Sequence, residues 1–365
     1  MSRSLRLSSV VLLAVLVGCG INPGLRADRD NTIGVLETAG YTLRATDGVL
    51  HVVGSTDNSV LLRASCLEVE LTLTRRTSAQ VEVQITNIPA DFALVGPPGA
   101  LTVDGSPKVG TPVADMPLTA RWTVMFGAHE SVVLRTPERA QSAFTFLAFG
   151  DIQNGIVRFD DVIDKVNAEP DADFILMLGD LTDRSTVSEF DAIDRAYAKI
   201  RFPILATPGN HDVFVDQEYQ RRFGRVSYTC SHKGARFTSI DSSAAYLAAQ
   251  MFDAYAKWLE QGKDQTHVVF SHIPATDFSG LRSGQWNSRR EAHRFLAASN
   301  AGNVDLLLFG HVHSFDSYSL AGIPTYISGG CGAYEEELDG IARHYLKVKV
   351  SPGAAPSVEV VRVDP

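Results

Sequence analysis

Four short clusters of polar residues each follow an apolar run, and each cluster opens with a glycine. The clusters are Gly150-Asp151-Ile152-Gln153, Gly179-Asp180-Leu181-Thr182-Asp183, Gly209-Asn210-His211-Asp212 and Gly310-His311-Val312-His313. Their carboxylate, amide and imidazole groups suit hard and borderline divalent ions, and no thiolate lies among them. Two such ions about 3.5 to 4 Å apart can clamp a phosphoryl group and activate a water molecule. Asp180 could bridge both ions, and a lone His272 follows another apolar run.

The apolar runs that precede the clusters predict buried strands, and helical patterns alternate with them. Because the carboxyl ends of parallel strands meet at one edge of an α/β sheet, this order would bring the clusters together. The predicted strands of this part are 144–149, 174–178, 202–206, 268–270 and 304–309, and the predicted helices are 156–168, 185–200, 244–261 and 289–299. The tail, with runs at 315–320, 324–328, 345–350 and 358–363, indicates antiparallel strands and a second, stacked sheet.

A different pattern fills residues 32–139. Short alternating runs recur there between turn residues such as Asp47-Gly48 and Pro97-Pro98-Gly99, with almost no helical periodicity. This spacing is typical of an antiparallel β-sandwich, although it does not distinguish an immunoglobulin-like from a jelly-roll topology. We therefore expect two domains, a β-sandwich over 32–139 and an α/β domain over 143–365.

The N-terminal segment has the layout of a secretory signal. Arg3 and Arg6 precede an apolar run at 10–17, which is far shorter than the ~20 residues a membrane span needs. The following Leu16-Val17-Gly18-Cys19 resembles the lipobox of bacterial lipoproteins, which implies a signal peptide over 1–18 and a lipid on Cys19. An ordinary cleaved signal is the alternative. Residues 19–31 would then be a tether to the membrane, and Gly20 in place of Asp favours the outer membrane of the bacterial cell envelope.

Charge and cysteine content limit the partners. The net charge is −9 at pH 7, so nucleic acid is not an expected partner, since binding it needs concentrated positive charge. Besides Cys19, the chain has three cysteines, Cys66, Cys230 and Cys331, so at least one stays unpaired. Cys230 and Cys331 are a possible pair because both would lie in the second domain.

The ordered motifs resemble those of the calcineurin-like metallophosphoesterases. Gly-Asp-Ile-Gln, Gly-Asp-Leu-Thr-Asp, Gly-Asn-His-Asp, a lone Ser-His and Gly-His-Val-His match all five blocks of that family in order, over roughly residues 143–350. The resemblance implies an α/β fold in which two stacked β-sheets are flanked by helices. The smaller all-β sandwich domain that precedes it is not explained by the resemblance.

The resemblance also implies a role for each motif residue. Asp151 and His313 would bind one metal ion, with Asp180 shared between the two ions. The second ion would be bound by Asn210, His272 and His311. His211 would stand outside the metal ligands and donate a proton to the leaving oxygen or stabilise the transition state, while Asp183 and Asp212 would orient their neighbours.

One position departs from the family pattern. The commonest first block has His where this chain has Gln153, which would join Asp151 and His313 on the first ion. An amide oxygen is a neutral, weaker donor that suits harder ions, so Mn or Fe is favoured over Zn.

These observations predict a metal-dependent phosphohydrolase that uses in-line attack by a hydroxide held between two metal ions. The substrate would be a phosphorylated small molecule or lipid, with phosphomonoester, phosphodiester and nucleotide-type diphosphate all left open. The alternative is a non-catalytic envelope protein whose phosphatase-like domain binds a ligand. A metallo-β-lactamase-like hydrolase is disfavoured because the His-x-His-x-Asp-His block is absent.

Overall fold

The computed structural model describes residues 22–215, 217–280, 284–336 and 340–364. The predicted signal peptide and Cys19 lie outside these residues. The first described element is helix α1 (Pro23–Asp30), and two domains built from β-sheets follow it. Within the described ranges, no helix combines the length and hydropathy that crossing a membrane requires.

The first domain consists of two stacked sheets whose strands alternate buried and more exposed side chains, as β-branched and polar residues alternate in the sequence. Its strands are β1 (Val35–Glu37), β2 (Tyr41–Ala45), β3 (Leu50–Ser55), β4 (Ser59–Ala64), β5 (Glu70–Arg75), β6 (Gln80–Thr86), β7 (Ala93–Leu94), β8 (Lys108–Val109), β9 (Thr111–Pro112), β10 (Thr119–Met125) and β11 (Ser131–Arg135). The sheet orders are β1-β2-β5-β11 and β3-β4-β6-β10-β9, with β7 and β8 as a separate pair.

The expectation of a purely antiparallel sandwich is wrong at one pair of strands. β4 and β6 run parallel, with Val60 opposite Val83. The reason is that β5 between them belongs to the other sheet, so the chain crosses over and returns in the same direction.

The second domain has two sheets with helices on their outer faces, which confirms the predicted fold class. Its strands are β12 (Phe144–Phe149), β13 (Ala172–Met177), β14 (Ile204–Ala206), β15 (Tyr228–His232), β16 (Ala235–Ser239), β17 (His267–Phe270), β18 (Leu306–Phe309), β19 (Phe315–Leu320), β20 (Ile323–Ser328), β21 (His344–Ser351) and β22 (Ala354–Arg362). Its helices are α2 (Phe159–Asn167), α3 (Val187–Tyr197), α4 (Glu218–Phe223), α5 (Met251–Gly262) and α6 (Arg289–Ala301).

The two sheets of this domain have the orders β14-β13-β12-β21-β22 and β15-β16-β17-β18-β20-β19. The tail strands do not form one sheet by themselves, because β21 and β22 extend the first sheet and β19 and β20 extend the second. Strands β12, β13 and β14 are parallel to one another, as are β16, β17, β18 and β20. Each sheet therefore presents several carboxyl ends at one edge.

Aromatic side chains fill the space between these two sheets. Phe146 and Phe174 of the first sheet stack with ring centroids 5.3 Å apart, and Phe237 of the second sheet meets Phe174 edge-on at 5.2 Å. All three rings are fully buried. Such pairs add about 0.5–1.5 kcal/mol to the free energy of apolar burial, so they fix how one sheet lies on the other.

Helix α1 docks onto the second domain, which differs from the predicted tether over residues 19–31. Asn22 caps its N-terminus by accepting from the Gly24 amide, and Pro23 occupies its first turn. The Arg26 guanidinium lies 2.8 Å from the Asp241 carboxylate, with the two side chains only 3% and 4% exposed. At the other end, Asp30 accepts hydrogen bonds from the amides of 226 and 227. Sequence periodicity missed this helix because polar residues make the docking contacts.

The buried ion pair between Arg26 of α1 and Asp241 of the second domain leads to a prediction about stability. Arg26→Ala should lower the free energy of unfolding by about 3–5 kcal/mol, because it leaves the Asp241 charge buried without its partner. Urea denaturation measures the change. Arg76→Ala is the matched control, since Arg76 pairs with Glu37 at the surface and its loss should cost less than about 1 kcal/mol. Equal effects of the two substitutions would show that the Arg26 pair does not hold α1 in place.

Candidate metal centre

Strand ends from both sheets meet at one place and bring the polar clusters together. Asp151 follows β12, Asp180 follows β13, and Asn210 begins a short 3₁₀ turn after β14. From the second sheet, His272 follows β17 and the His311–His313 segment follows β18. The convergence results from parallel strands in two stacked sheets, whose carboxyl ends share one rim.

The candidate ligands form two overlapping groups. One group contains Asp151, Asp180 and His313, and the other contains Asp180, His272 and His311. Within each group the ligand atoms all lie within 4.8 Å of one another. Asp180 belongs to both groups, so the two candidate metal positions are adjacent and have one carboxylate between them.

Buried polar atoms without hydrogen-bond partners test whether a metal ion fits here. The Oδ1 atoms of Asp151 and Asn210 and the Nε2 atom of His272 are such atoms. His272 Nε2 lies 3.2 Å from Asp180 Oδ2, and the Asp151 oxygen lies 3.4 Å from His313 Nε2. Leaving a buried polar group unsatisfied costs about 1–3 kcal/mol, and more for a charged group. Cations between these atoms would satisfy all of them, so the residues fit a metal site.

The backbone is strained where the ligands gather. Asp151, Asp180 and His311 have φ angles of 67°, 52° and 71°. These values lie in the left-handed region of backbone conformations, which residues other than glycine seldom adopt. Each such residue costs on the order of 1–3 kcal/mol, and such strain concentrates at functional sites. Glycines make room beside them: a Cβ on Gly209 would lie 2.0 Å from Asp180 Oδ1, and one on Gly310 would lie 2.7 Å from Asp151 Oδ2.

Backbone groups orient the ligand side chains. Nδ1 of His272 donates to the Leu178 carbonyl at 2.7 Å, and Nδ1 of His313 donates to the Tyr334 carbonyl at 2.7 Å. Each bond holds the proton on Nδ1 and leaves Nε2 to bind a metal ion. The carboxylates are fixed as well, because the amide of His211 donates to Asp180 and the amide of His311 donates to Asp151, both at 2.9 Å.

The buried charges of the site perturb one another strongly. Burial alone would raise the pKa of Asp180, but the neighbouring His272 and His211 hold that pKa well below its usual range. Burial alone would lower the pKa of His272, but Asp180 and Asp151 raise it to about 9. Without a bound cation, His272 therefore carries a second proton, on Nε2, at neutral pH, and binding a cation at Nε2 would displace that proton.

Gln153 lies beside the shared carboxylate, where its Nε2 donates to Asp180 Oδ2 at 2.8 Å. It belongs to a 3₁₀ turn with a left-handed φ of 43°. The carbonyl oxygen of the same amide can still serve as a ligand. The role of Gln153 as a ligand of the first metal ion stays a prediction. Its hydrogen bond to Asp180 is a second role, which the sequence did not reveal.

His211, Asp183 and Asp212 surround the cluster without entering either ligand group. The His211 side chain is 30% exposed, and its Nδ1 donates to the backbone carbonyl of Asp183 at 2.7 Å. The Asp183 carboxylate is farther away, 3.9 Å from the same nitrogen. Asp212 accepts from the amides of Gly209, Leu181 and Thr182, so it ties the second cluster to the third. Burial and the nearby Asp180 raise the pKa of Asp212 to about 6.

Arg158 is a supporting residue that sequence reasoning missed. Its guanidinium donates to the carbonyls of Gly332 and Ala333, lies 3.3 Å from Glu335 and stands over the Tyr334 ring. The 332–335 loop carries the carbonyl that orients His313. The sequence does not reveal these contacts, because every residue has a backbone carbonyl whatever its type.

Two residues outside the ligand groups, Trp286 and Arg184, occupy different surroundings. Trp286 is 2% exposed, and its indole donates to the Ile273 carbonyl, so it is a core residue rather than a rim residue. Arg184 is 80% exposed and 3.4 Å from Asp183, so it is placed to meet solvent or a bound anion. Asp241, at an apparent strand end, is the structural partner of Arg26.

The Arg158 contacts predict an effect on the metal site. Arg158→Lys should weaken metal affinity or activity about 10- to 100-fold, because a single ammonium cannot bind the loop carbonyls and Glu335 together. Isothermal titration with Mn²⁺ measures the affinity, and Arg290→Lys on the exposed face of α6 is the matched control. Unchanged metal affinity and activity in Arg158→Lys would show that the loop holds His313 without Arg158.

Part of the second domain is similar to a known protein family. Residues 144–315 match the model of the calcineurin-like phosphoesterases. A 3′,5′-cyclic-nucleotide phosphodiesterase of Nostoc sp. (strain PCC 7120 / SAG 25.82 / UTEX 2576) is 23% identical over 151 residues, which cover 40% of this chain and 57% of that relative. The chain thus spans little more than half the length of this relative.

Solved structures with a similar arrangement were also found. GAP50, the anchor in the inner membrane complex of Plasmodium, has a TM-score of 0.49 and 15% identity, and the match covers 61% of this chain and 86% of that one. The structure of PhoD has a TM-score of 0.48 and 11% identity, with 82% and 88% covered. A dimetal phosphatase from Danio rerio has a TM-score of 0.44 and 13% identity, with 60% and 99% covered.

The matched region contains the whole candidate metal centre. It begins at the first residue of β12 and ends at the first residue of β19, and Asp151, Asp180, Asn210, His272 and His313 all lie within it. The β-sandwich lies outside the match. The chain therefore contains a calcineurin-like phosphoesterase domain over residues 144–315.

Proposed function

We propose that this protein is a metal-dependent phosphohydrolase with a dinuclear centre that shares Asp180. The observation that carries the proposal is the pair of overlapping ligand groups, together with the buried atoms that lack partners. Asp151 and His313, with Gln153, would hold one ion. Asn210, His272 and His311 would hold the other. The grouping of His272 with His311 supports this set, as do the partnerless Asn210 Oδ1 and His272 Nε2 atoms.

The chain's own residues would assist each part of the reaction. Two bound metal ions would supply Lewis acidity toward a phosphoryl group and would activate a water molecule as the nucleophile. As the phosphorus–oxygen bond to the leaving group breaks, His211 would give a proton to the departing oxygen. The carbonyl of Asp183 keeps the His211 ring in place, and Asp212 fixes the turn that carries it.

The ligand chemistry favours Mn or Fe over Zn. Besides imidazoles, the proposed set contains two carboxylates and two side-chain amides, Gln153 and Asn210, and no thiolate. Oxygen ligands suit the harder ions of the first transition row. The hydrogen bond from Gln153 Nε2 to Asp180 Oδ2 places this neutral amide beside the shared carboxylate.

We further propose a phosphorylated small molecule or lipid as the substrate and the bacterial cell envelope as the location, with a lipid on Cys19 as the anchor. The similarity to a cyclic-nucleotide phosphodiesterase supports a phosphodiester among the substrates. Mass spectrometry of the N-terminal peptide from membranes of the source cells tests the anchor. A diacylglyceryl group on Cys19 supports it, and an unmodified Cys19 or a peptide that begins elsewhere contradicts it.

Hydrolysis assays test the activity. Metal-free protein is incubated with Mn²⁺, Fe²⁺ or Zn²⁺ and assayed with p-nitrophenyl phosphate, bis(p-nitrophenyl) phosphate and a panel of nucleotides. We expect metal-dependent release of product that disappears in Asn210→Ala. An inert wild type with every metal, or a fully active Asn210→Ala, contradicts the proposal.

The same assays distinguish the second candidate, a non-catalytic envelope protein. Its motivation is Gln153 in a position where the family commonly has His. Tight binding of a phosphorylated ligand without turnover would favour that candidate, and metal-dependent turnover would eliminate it.

A further inference from the structure

Two cysteines from different domains meet at the interface between those domains. Cys66 lies in the turn between β4 and β5 of the sandwich, and Cys230 lies in β15 of the phosphoesterase domain. Both side chains are buried, at 1% and 6% exposure, and both belong to the same apolar cluster. This meeting was not expected, because only a Cys230–Cys331 pair was considered from the sequence.

Several contacts fix the Cys66 turn against β15. The Cys66 thiol donates to the carbonyl of Ser231, the residue after Cys230, at 3.5 Å. Two residues along the turn, the Glu68 carboxylate accepts from the amide of Lys233 at 2.8 Å. The two thiols are themselves in side-chain contact, and this contact, followed by burial, raises the pKa of Cys230. The backbones on both sides are therefore held in place where the sulfur atoms meet.

Cys331 is not a competitor for either thiol. It packs in a different apolar cluster, between the first sheet and its helices, and its amide donates to the Gly150 carbonyl beside the metal centre. All three described cysteines are free thiols in the structure. The cysteine arrangement thus offers one pair and one isolated thiol.

We infer that Cys66 and Cys230 form a disulfide bond that joins the β-sandwich to the phosphoesterase domain when the chain folds under oxidising conditions. With oxidised glutathione as the oxidant, the two thiols lose two protons and two electrons to give one sulfur–sulfur bond. The glutathione disulfide is reduced to two molecules of glutathione in the same exchange. Because the thiols are buried in the folded protein, exchange takes place during folding, before the interface closes.

Such a bond would stabilise the arrangement of the two domains. It would close a loop that contains strands β5 to β11 of the sandwich and β12 to β14 of the second domain. Long loops lose the most unfolded-state entropy on crosslinking. The interface would then open only with local unfolding of one domain. An exported protein would meet the oxidising conditions that such a bond requires.

Refolding tests the inference. The full chain is denatured and reduced, refolded in a mixture of oxidised and reduced glutathione, denatured again in the presence of an alkylating agent, and digested without reduction. We expect a crosslinked peptide pair containing Cys66 and Cys230, lighter by two hydrogen atoms than the free peptides, together with alkylated Cys331. Alkylation of both Cys66 and Cys230, glutathione attached to either of them, or a link from either of them to Cys331 would overturn the inference.

Stability provides a second readout with matched variants. The urea midpoint of the oxidised wild type should exceed that of the reduced protein by about 1 M. Cys66→Ala and Cys230→Ala should each show equal midpoints in the two redox conditions. Peptide mapping of the wild type decides the question even where a variant does not fold. A wild-type urea midpoint that is the same under oxidising and reducing conditions would count against the bond.

Discussion

Asp180→Asn is expected to remove metal binding at both positions and to lower phosphoester hydrolysis by ~10³-fold or more. The reason is that Asp180 is the one carboxylate common to both ligand groups, and it faces His272 at 3.2 Å. A metal pair supplies several kcal/mol of transition-state stabilisation, and about 4 kcal/mol corresponds to a factor of ~10³ in rate. Steady-state kinetics and elemental analysis of the same preparation measure both effects.

The control for Asp180→Asn is a second buried aspartate away from the site. Asp30 is buried and accepts two backbone amides, so Asp30→Asn tests the loss of a buried carboxylate as such. We expect Asp30→Asn to change stability while metal content and kcat per folded molecule stay near wild type. An Asp180→Asn protein that keeps two ions and wild-type kcat would refute the sharing of Asp180.

His211→Gln is expected to lower kcat by about 10²–10⁴-fold while metal content stays unchanged. His211 belongs to neither ligand group and is more exposed than the buried ligands, as a residue that meets the leaving group must be. Its Nδ1 is held by the Asp183 carbonyl, which leaves the other ring nitrogen for proton transfer. Comparing kcat with metal content separates this role from that of a ligand.

The leaving group makes this second test sharper. A p-nitrophenolate needs little protonation, whereas an alkoxide needs a proton, so the loss in His211→Gln should be much larger for alkyl esters. His293→Gln, on the exposed side of α6, is the matched control and should behave as wild type. Equal losses for both leaving groups would show that His211 stabilises the transition state by charge rather than by donating a proton.

Much of the fold could be predicted from the sequence because its signals are local. The runs before Asp151 and Asp180 are continuous and apolar, as strands buried on both faces must be, and each ends at a glycine followed by a ligand. Parallel strand order then places their ends at one edge. For this reason the meeting of Asp151, Asp180 and His272 could be expected before any coordinates were known.

Other features depend on contacts between distant segments and leave no local pattern. Helix α1 is held by a buried ion pair between Arg26 and Asp241, and neither residue lies in an apolar stripe. Arg158 acts through backbone carbonyls, and Cys66 meets Cys230 only because two domains pack together. The parallel pairing of β4 with β6 depends on which sheet β5 joins, and a strand pattern does not specify its partner.

The central claim is that the chain binds two metal ions that share Asp180. The most direct measurement is the metal-to-protein ratio of Mn-loaded protein after gel filtration, determined by elemental analysis for the wild type and for Asp180→Asn. The account predicts two ions per wild-type chain, together with loss of both ions in the variant. One ion or none per wild-type chain, or two ions retained by Asp180→Asn, would contradict it.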